Sequence, residues 1–231
     1  MNIDRRQFSR STLAAAAGAG LVRTAWGTQP PAETEPLSCE EALLRLKQGN
    51  GRFVRGELRH PHLGSDWRKR LADGQKPFAT ILGCSDSRVP PELLFDQGFG
   101  DLFVIRVAGN VIDTDVTGSI EYGVDHLKTS LVVVMGHEGC GAVTAALQAD
   151  EDLRDEPNEI RSLVQKIKPA TKTVSDDLPF VDRLKASVEA NVRESVRRLQ
   201  SVPDLAAAER KEVTKIIGCV YDIQSGRVRT L

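Results

Sequence analysis

The sequence lacks most of what marks a specialised class. Charge of one sign is missing: 31 Lys+Arg stand against 32 Asp+Glu, a formal net charge of −1. A general nucleic-acid binder needs a basic excess to meet phosphates, so that class is set aside. Cysteine is scarce. Four in 231 residues cannot build a disulfide scaffold but suffice for a metal site, so their spacing carries the information. Beyond the N-terminus no apolar stretch is long enough to span a bilayer. There is no internal repeat, and no Gly-rich phosphate loop follows the first apolar run, which weakens a nucleotide-binding reading. What is present is an ordinary globular composition, 40% hydrophobic and 27% charged. It fits one domain of roughly 200 residues, or two small ones.

Residues 1–27 read as an address. Asp4-Arg5-Arg6-Gln7-Phe8-Ser9-Arg10 is a basic segment, followed by an Ala/Gly-rich apolar run to Val22 and small residues near Ala25-Trp26-Gly27. That order is a signal peptide's, and the paired arginines before Gln-Phe resemble the twin-arginine export signal. An amphipathic surface helix with a chance arginine pair is the competing reading. Export predicts a periplasmic or otherwise exported protein, and the signal's four arginines and one aspartate leave with it, making the mature formal charge −4. Pro30, Pro31 and Pro36 make residues 28–37 a linker, and residues 38–231 form the domain.

Within that domain Ser38-Cys39-Glu40-Glu41 is a capping box opening a helix, with Gly49 as its expected end. A short helix is expected over Asp66–Asp73, closed by Gly74. Three continuous apolar runs follow: Phe78–Leu82, Leu102–Ile105 and Leu131–Met135. Continuous rather than alternating hydrophobicity predicts strands buried on both faces of a parallel sheet. Helical spacing occupies Val116–Leu127, Gly141–Ala149, Ile160–Ile167 and Val181–Leu199, with Pro157, Pro169, Pro179 and Pro203 as punctuation. Lys215–Val220 is a last apolar run, and Ser225-Gly226 the turn of a terminal hairpin. The fold class is α/β: a central, mostly parallel sheet flanked by helices, with an N-terminal helical arm and a C-terminal hairpin.

The chemistry sits at two strand ends. The first run ends in Gly83-Cys84-Ser85-Asp86-Ser87-Arg88 and the third in Gly136-His137-Glu138-Gly139-Cys140-Gly141. Ligand sites in parallel sheets lie at the carboxyl ends of strands. Cys84, His137 and Cys140 are therefore expected at one point, where two thiolates and an imidazole suit zinc. Three protein ligands leave a fourth position open, as catalytic zinc requires. Taken singly, a cysteine at a strand end is an ordinary core residue, and Cys84 with Cys140 could form a redox pair. Neither accounts for His137 or the Asp86/Arg88 pattern. Asp86 and Arg88 are either a weak surface ion pair or, beside a cation, an orienting dyad in which arginine holds an ionised carboxylate.

Cys84-x-Asp86-x-Arg88 with His137-x-x-Cys140 resembles the β-class carbonic anhydrases. The resemblance extends to Asn50-Gly51-Arg52-Phe53-Val54, Gly74-Gln75-x-Pro77, Arg106-Val107-Ala108-Gly109-Asn110, Ser119-Ile120-Glu121-Tyr122, and Gly218-x-x-Tyr221-Asp222 followed by Gly226. It implies one Zn2+ per subunit on Cys84, His137 and Cys140, and zinc-bound hydroxide attack on carbon dioxide to give bicarbonate and a proton. Asp86 would orient the hydroxide and Arg88 would hold Asp86. Gln75 would bind substrate across a dimer interface, Phe103, Ala108 and Tyr122 would line the apolar pocket, and His126 matches a proton-shuttle position or is a solvated histidine on a helix face. The family implies a homodimer or dimer of dimers. A regulated subgroup carries tryptophan three residues before the first zinc cysteine. Ile81 stands there, although Arg106 matches that subgroup's arginine, so an open site without a bicarbonate switch is expected. Hydrolysis of carbon disulfide or carbonyl sulfide on the same scaffold is the alternative enzyme reading, and a non-catalytic zinc protein the alternative class. Cys39 and Cys219 lie outside the motif; two separate buried thiols are expected, though an exported chain could join them.

Overall fold

A computed structural model describes residues 36–231; the signal-peptide reading of residues 1–27 and most of the linker lie outside them. The first helix, α1 (Cys39–Arg55), opens as expected. The Ser38 side chain accepts from the Glu41 amide and the Glu41 carboxylate accepts from the Ser38 amide. Its end differs from expectation. The helix runs through Gly49 and stops at Gly56, whose left-handed backbone (φ 70°) presents its N–H to the carbonyls of Arg52 and Phe53. Gly49 serves packing instead: a β-carbon there would stand 1.7 Å from the Phe95 carbonyl oxygen. From the sequence, a glycine that ends a helix and one that lets a helix touch a neighbour look alike.

After α2 (Ser65–Arg70) and a 3₁₀ turn (Leu71–Asp73) comes β1 (Ala79–Gly83). It is followed by α3 (Pro91–Leu94), β2 (Leu102–Arg106), α4 (Thr114–Asp125), β3 (Leu131–His137) and α5 (Gly141–Ala146). The chain then runs through α6 (Asn158–Thr171), α7 (Phe180–Gln200), α8 (Pro203–Arg210), β4 (Lys215–Tyr221) and β5 (Val228–Thr230). The sheet order is β2-β1-β3-β4-β5, parallel except for β5, which pairs with β4 as the expected terminal hairpin. β1 and β3 are buried throughout, matching their continuous apolar runs. β2 is not: Leu102–Ile105 are half-buried and Arg106 is exposed, because β2 is the sheet's outer strand and has a neighbour on one side alone.

Pro157 and Pro179 precede α6 and α7, and Pro203 opens α8, a helix the apolar periodicity did not disclose. Pro169, expected as punctuation, lies inside α6 near its end, at the cost of one backbone hydrogen bond. Helix α7 seats on the middle of the sheet because two strand residues have no side chain. A β-carbon at Gly136 of β3 or Gly218 of β4 would come within 2.6 or 2.7 Å of Val192. The core so formed joins Leu46, Ile81, Leu82, Ile120, Met135, Ile167, Val192 and Leu199.

Candidate metal centre

Register brings the site together. Gly83 pairs with Met135, so the chain leaves β1 at Cys84 beside the last residues of β3, which end in His137. A tight turn, with Gly139 at φ 65°, then delivers Cys140 to the start of α5. The Sγ atoms of Cys84 and Cys140 and a ring nitrogen of His137 lie within 4.8 Å of one another, all three residues buried. That is close to the span one ion with bonds of about 2.0–2.3 Å bridges.

Two features show that this donor set fits a metal. His137 Nδ1 lies 3.0 Å from the Glu138 carbonyl oxygen, so Nδ1 carries the proton and donates it there. Nε2, buried and without a hydrogen-bond partner, then turns its lone pair toward the sulfurs. The two sulfurs titrate as one coupled pair: a hydrogen bond between them favours a single thiolate, and burial together with the charge of that thiolate opposes ionisation of the second sulfur. A second thiolate this close requires a cation between the two.

Asp86 borders the trio, its Oδ2 3.9 Å from His137 Nε2. Arg88 donates from Nε to Oδ1 (2.9 Å), from Nη2 to Oδ2 (2.7 Å) and from its backbone amide to Oδ1 (2.9 Å). This fork holds the carboxyl far below the usual carboxylate range although partial burial opposes it. Arg106, at the end of β2, secures the same loop from beneath. Its Nε donates to the Cys84 carbonyl at 2.9 Å and its Nη2 to the Asp86 carbonyl.

The residues expected to contact substrate divide into two groups. Ala108 is in the 3₁₀ turn Ala108–Asn110, next to Gly109, whose amide donates to Cys84 Sγ at 3.3 Å. Phe103 and Tyr122 pack together with ring centroids 5.9 Å apart, and Tyr122 meets His126 at 5.0 Å. Phe103 is paired with Thr80, four residues before Cys84, which at about 3.3 Å per residue puts it roughly 13 Å along the sheet from Cys84. Gln75 is exposed ahead of β1, and His126 is exposed at the end of α4. All four cysteines are free: Cys219 is fully buried, its thiol pushed up to about 12 by desolvation, while Cys39, expected to be buried, is half-buried.

Three contributors escaped sequence reading. Asn191 and Ser195 of α7 donate to the carbonyls of Gly109 and Asn110, at 2.9 and 3.3 Å, and so hold the turn whose amide touches Cys84. Glu138 supplies the carbonyl that fixes the His137 tautomer. The available signal was in α7, where Ser187, Asn191 and Ser195 recur every four residues along an otherwise apolar buried face.

Comparison with known proteins agrees with this geometry. Residues 79–228 match the model of the carbonic anhydrase family. Over 197 residues the chain is 43% identical to carbonic anhydrase 2 of Mycobacterium tuberculosis, an alignment covering 84% of this chain and 92% of that protein. It is 36% identical over 171 residues to a carbonic anhydrase of Pseudomonas aeruginosa, covering 71% and 77%. Among solved structures, the β-carbonic anhydrase CcaA superposes with a TM-score of 0.68 at 27% identity, covering 81% of this chain and 86% of that one. One described among two tetrameric β-carbonic anhydrases of Sordaria macrospora gives 0.64 at 26% identity, covering 83% and 95%. The fold, the Cys-His-Cys cluster and these relatives together show that the chain belongs to the carbonic anhydrase family, in its β class.

Proposed function

We propose that the protein catalyses the reversible hydration of carbon dioxide to bicarbonate and a proton, with zinc held by Cys84, His137 and Cys140. The observation that carries this reading is the buried, unpartnered Nε2 of His137 facing two cysteine sulfurs. Zinc in such a site supplies Lewis acidity that lowers the pKa of water to about 7. The protein's own groups do the rest. Asp86, kept ionised by Arg88, accepts a hydrogen bond from the attacking water and aims its lone pair at the substrate carbon. The fork of Arg88 draws Asp86 toward itself, which favours Asp86 as an acceptor for the water over Asp86 as a fourth ligand. With Ile81 where the regulated subgroup has tryptophan, the site stays open without a bicarbonate switch. A steep, cooperative loss of activity on mild acidification, with Asp86 on the metal, overturns that part of the reading.

The apolar wall of the substrate pocket comes from a second copy of the chain. Phe103, with Tyr122 packed against it, lies roughly 13 Å along the sheet from the cluster of its own chain, and β2 presents a half-buried outer edge. The tetrameric relatives support self-association, as a homodimer or dimer of dimers. Gln75 and, less directly, His126 would then serve the neighbour's site as substrate ligand and proton shuttle. Residues 1–27 would send the protein to the periplasm; an arginine pair replaced by lysines should retain it in the cytoplasm, and unchanged fractionation counts against export.

Stopped-flow carbon dioxide hydration with zinc quantification tests the central reading. Zinc-loaded protein that leaves carbon dioxide unreacted but hydrolyses carbon disulfide or carbonyl sulfide would transfer the site to the alternative substrate.

A further inference from the structure

Helix α7 has an unusual buried face. Val188, Val192 and Leu199 pack it onto the sheet, yet Ser187, Asn191 and Ser195, spaced by four residues, share that buried side. Buried polar groups are retained where they are hydrogen-bonded, and two of these three are. Asn191, 3% exposed, donates from Nδ2 to the Gly109 carbonyl at 2.9 Å. Ser195 donates from Oγ to the Asn110 carbonyl at 3.3 Å. Both acceptors belong to one turn. Gly109 is left-handed (φ 66°), and a β-carbon on it would meet Ile167 Cδ1 at 2.6 Å and Ala142 Cβ at 3.1 Å, so α5 and α6 close against the turn while α7 tethers it. The held turn has one outlet toward the metal centre: the Gly109 amide donates to Cys84 Sγ at 3.3 Å.

We infer that Asn191 is a positioning residue for the metal centre, acting through the Gly109 turn to aim an N–H at the Cys84 sulfur. The inference rests on the zinc reading above. An N–H donated to a thiolate draws electron density from the sulfur, weakens its donation to the ion and leaves the ion the stronger Lewis acid. Without the Asn191 donor, the Gly109 carbonyl is buried without that partner and the turn relaxes, so the amide loses its aim. A helix remote in sequence from both cysteines thereby sets the character of one of them.

Cobalt(II)-substituted protein reports this directly, since sulfur-to-cobalt charge-transfer bands follow thiolate donation while d–d bands follow coordination geometry. Asn191→Ala and Asn191→Asp should move the charge-transfer bands to lower energy, as a sulfur that has lost its N–H donor gives up charge more readily. The d–d bands should stay tetrahedral. Ser187→Ala is the matched control: it lies one turn earlier on the same buried face, with an Oγ that makes no hydrogen bond. It should leave the bands unchanged. Asn191 variants that lose thermal stability but keep wild-type bands overturn the inference. If they do not fold, Ser195→Ala decides, with a smaller shift in the same direction expected and an unchanged spectrum overturning it. Wild-type protein that takes up neither zinc nor cobalt refutes the zinc reading and the relay with it; a metal-loaded wild type indistinguishable from its Asn191 variants refutes the relay alone.

Discussion

Arg88 holds Asp86 by a fork, Nε on one carboxylate oxygen at 2.9 Å and Nη2 on the other at 2.7 Å, with its own backbone amide as a third donor. A flexible ammonium cannot reproduce that planar contact. Asp86→Ala is expected to keep zinc and lower kcat by about 100-fold or more, as the loss of an orienting group does. Arg88→Lys should give a smaller loss, again with zinc retained. Steady-state rates beside metal content check both.

Cys84→Ser, His137→Ala and Cys140→Ser should each lose zinc and activity together, since each removes one of the three donors of the buried trio. Metal analysis after dialysis against a chelator is the measurement. Full activity in a zinc-free variant contradicts the assignment.

Stability should fall in acid through Asp96. Burial raises this carboxyl, but Arg52 Nε at 2.5 Å and the amides of Arg59 and His60 more than reverse it, so its folded pKa lies below the ordinary value. A group with a depressed folded pKa stabilises fully above its unfolded value of about 3.9, and the contribution disappears as pH falls through the folded value. Asp96→Asn leaves Arg52 without its charge partner and should cost about 3 kcal/mol at neutral pH, lowering Tm by about 6–12 °C. The gap from wild type should narrow below about pH 4. A gap independent of pH would show that the charge contributes nothing.

Two glycines of α1 should respond oppositely. Gly49→Ala drives a methyl group into the Phe95 carbonyl and should destabilise by at least about 3 kcal/mol. At Gly51 the nearest atom to a new β-carbon is the mobile end of Arg55, at 3.3 Å. Gly51→Ala should therefore stabilise by about 0.5–1 kcal/mol through helix propensity. Thermal denaturation of the two variants separates packing from propensity.

The parallel sheet was legible because strands buried on both faces must be apolar at every position, as in Leu131–Met135, and the clustering of Cys84, His137 and Cys140 because residues at two adjacent strand ends have a topological reason to meet. The capping box at Ser38 was legible because both its partners lie within one helical turn. Local chemistry over a few residues thus determined most of the elements, their order and which chemically active residues meet. Tertiary structure decided whatever depends on what stands opposite. Gly49 proved a contact with Phe95 rather than a helix end, and β2 an outer strand rather than a buried one. Phe103, paired with Thr80, proved roughly 13 Å along the sheet from Cys84. Asn191 belongs to the same group, since its hydrogen bond spans 82 residues and no local pattern encodes which carbonyl a buried amide will find. Secondary structure and ligand type follow from short-range sterics and periodicity, whereas the surroundings that tune a ligand are set by which surfaces the packed chain brings face to face.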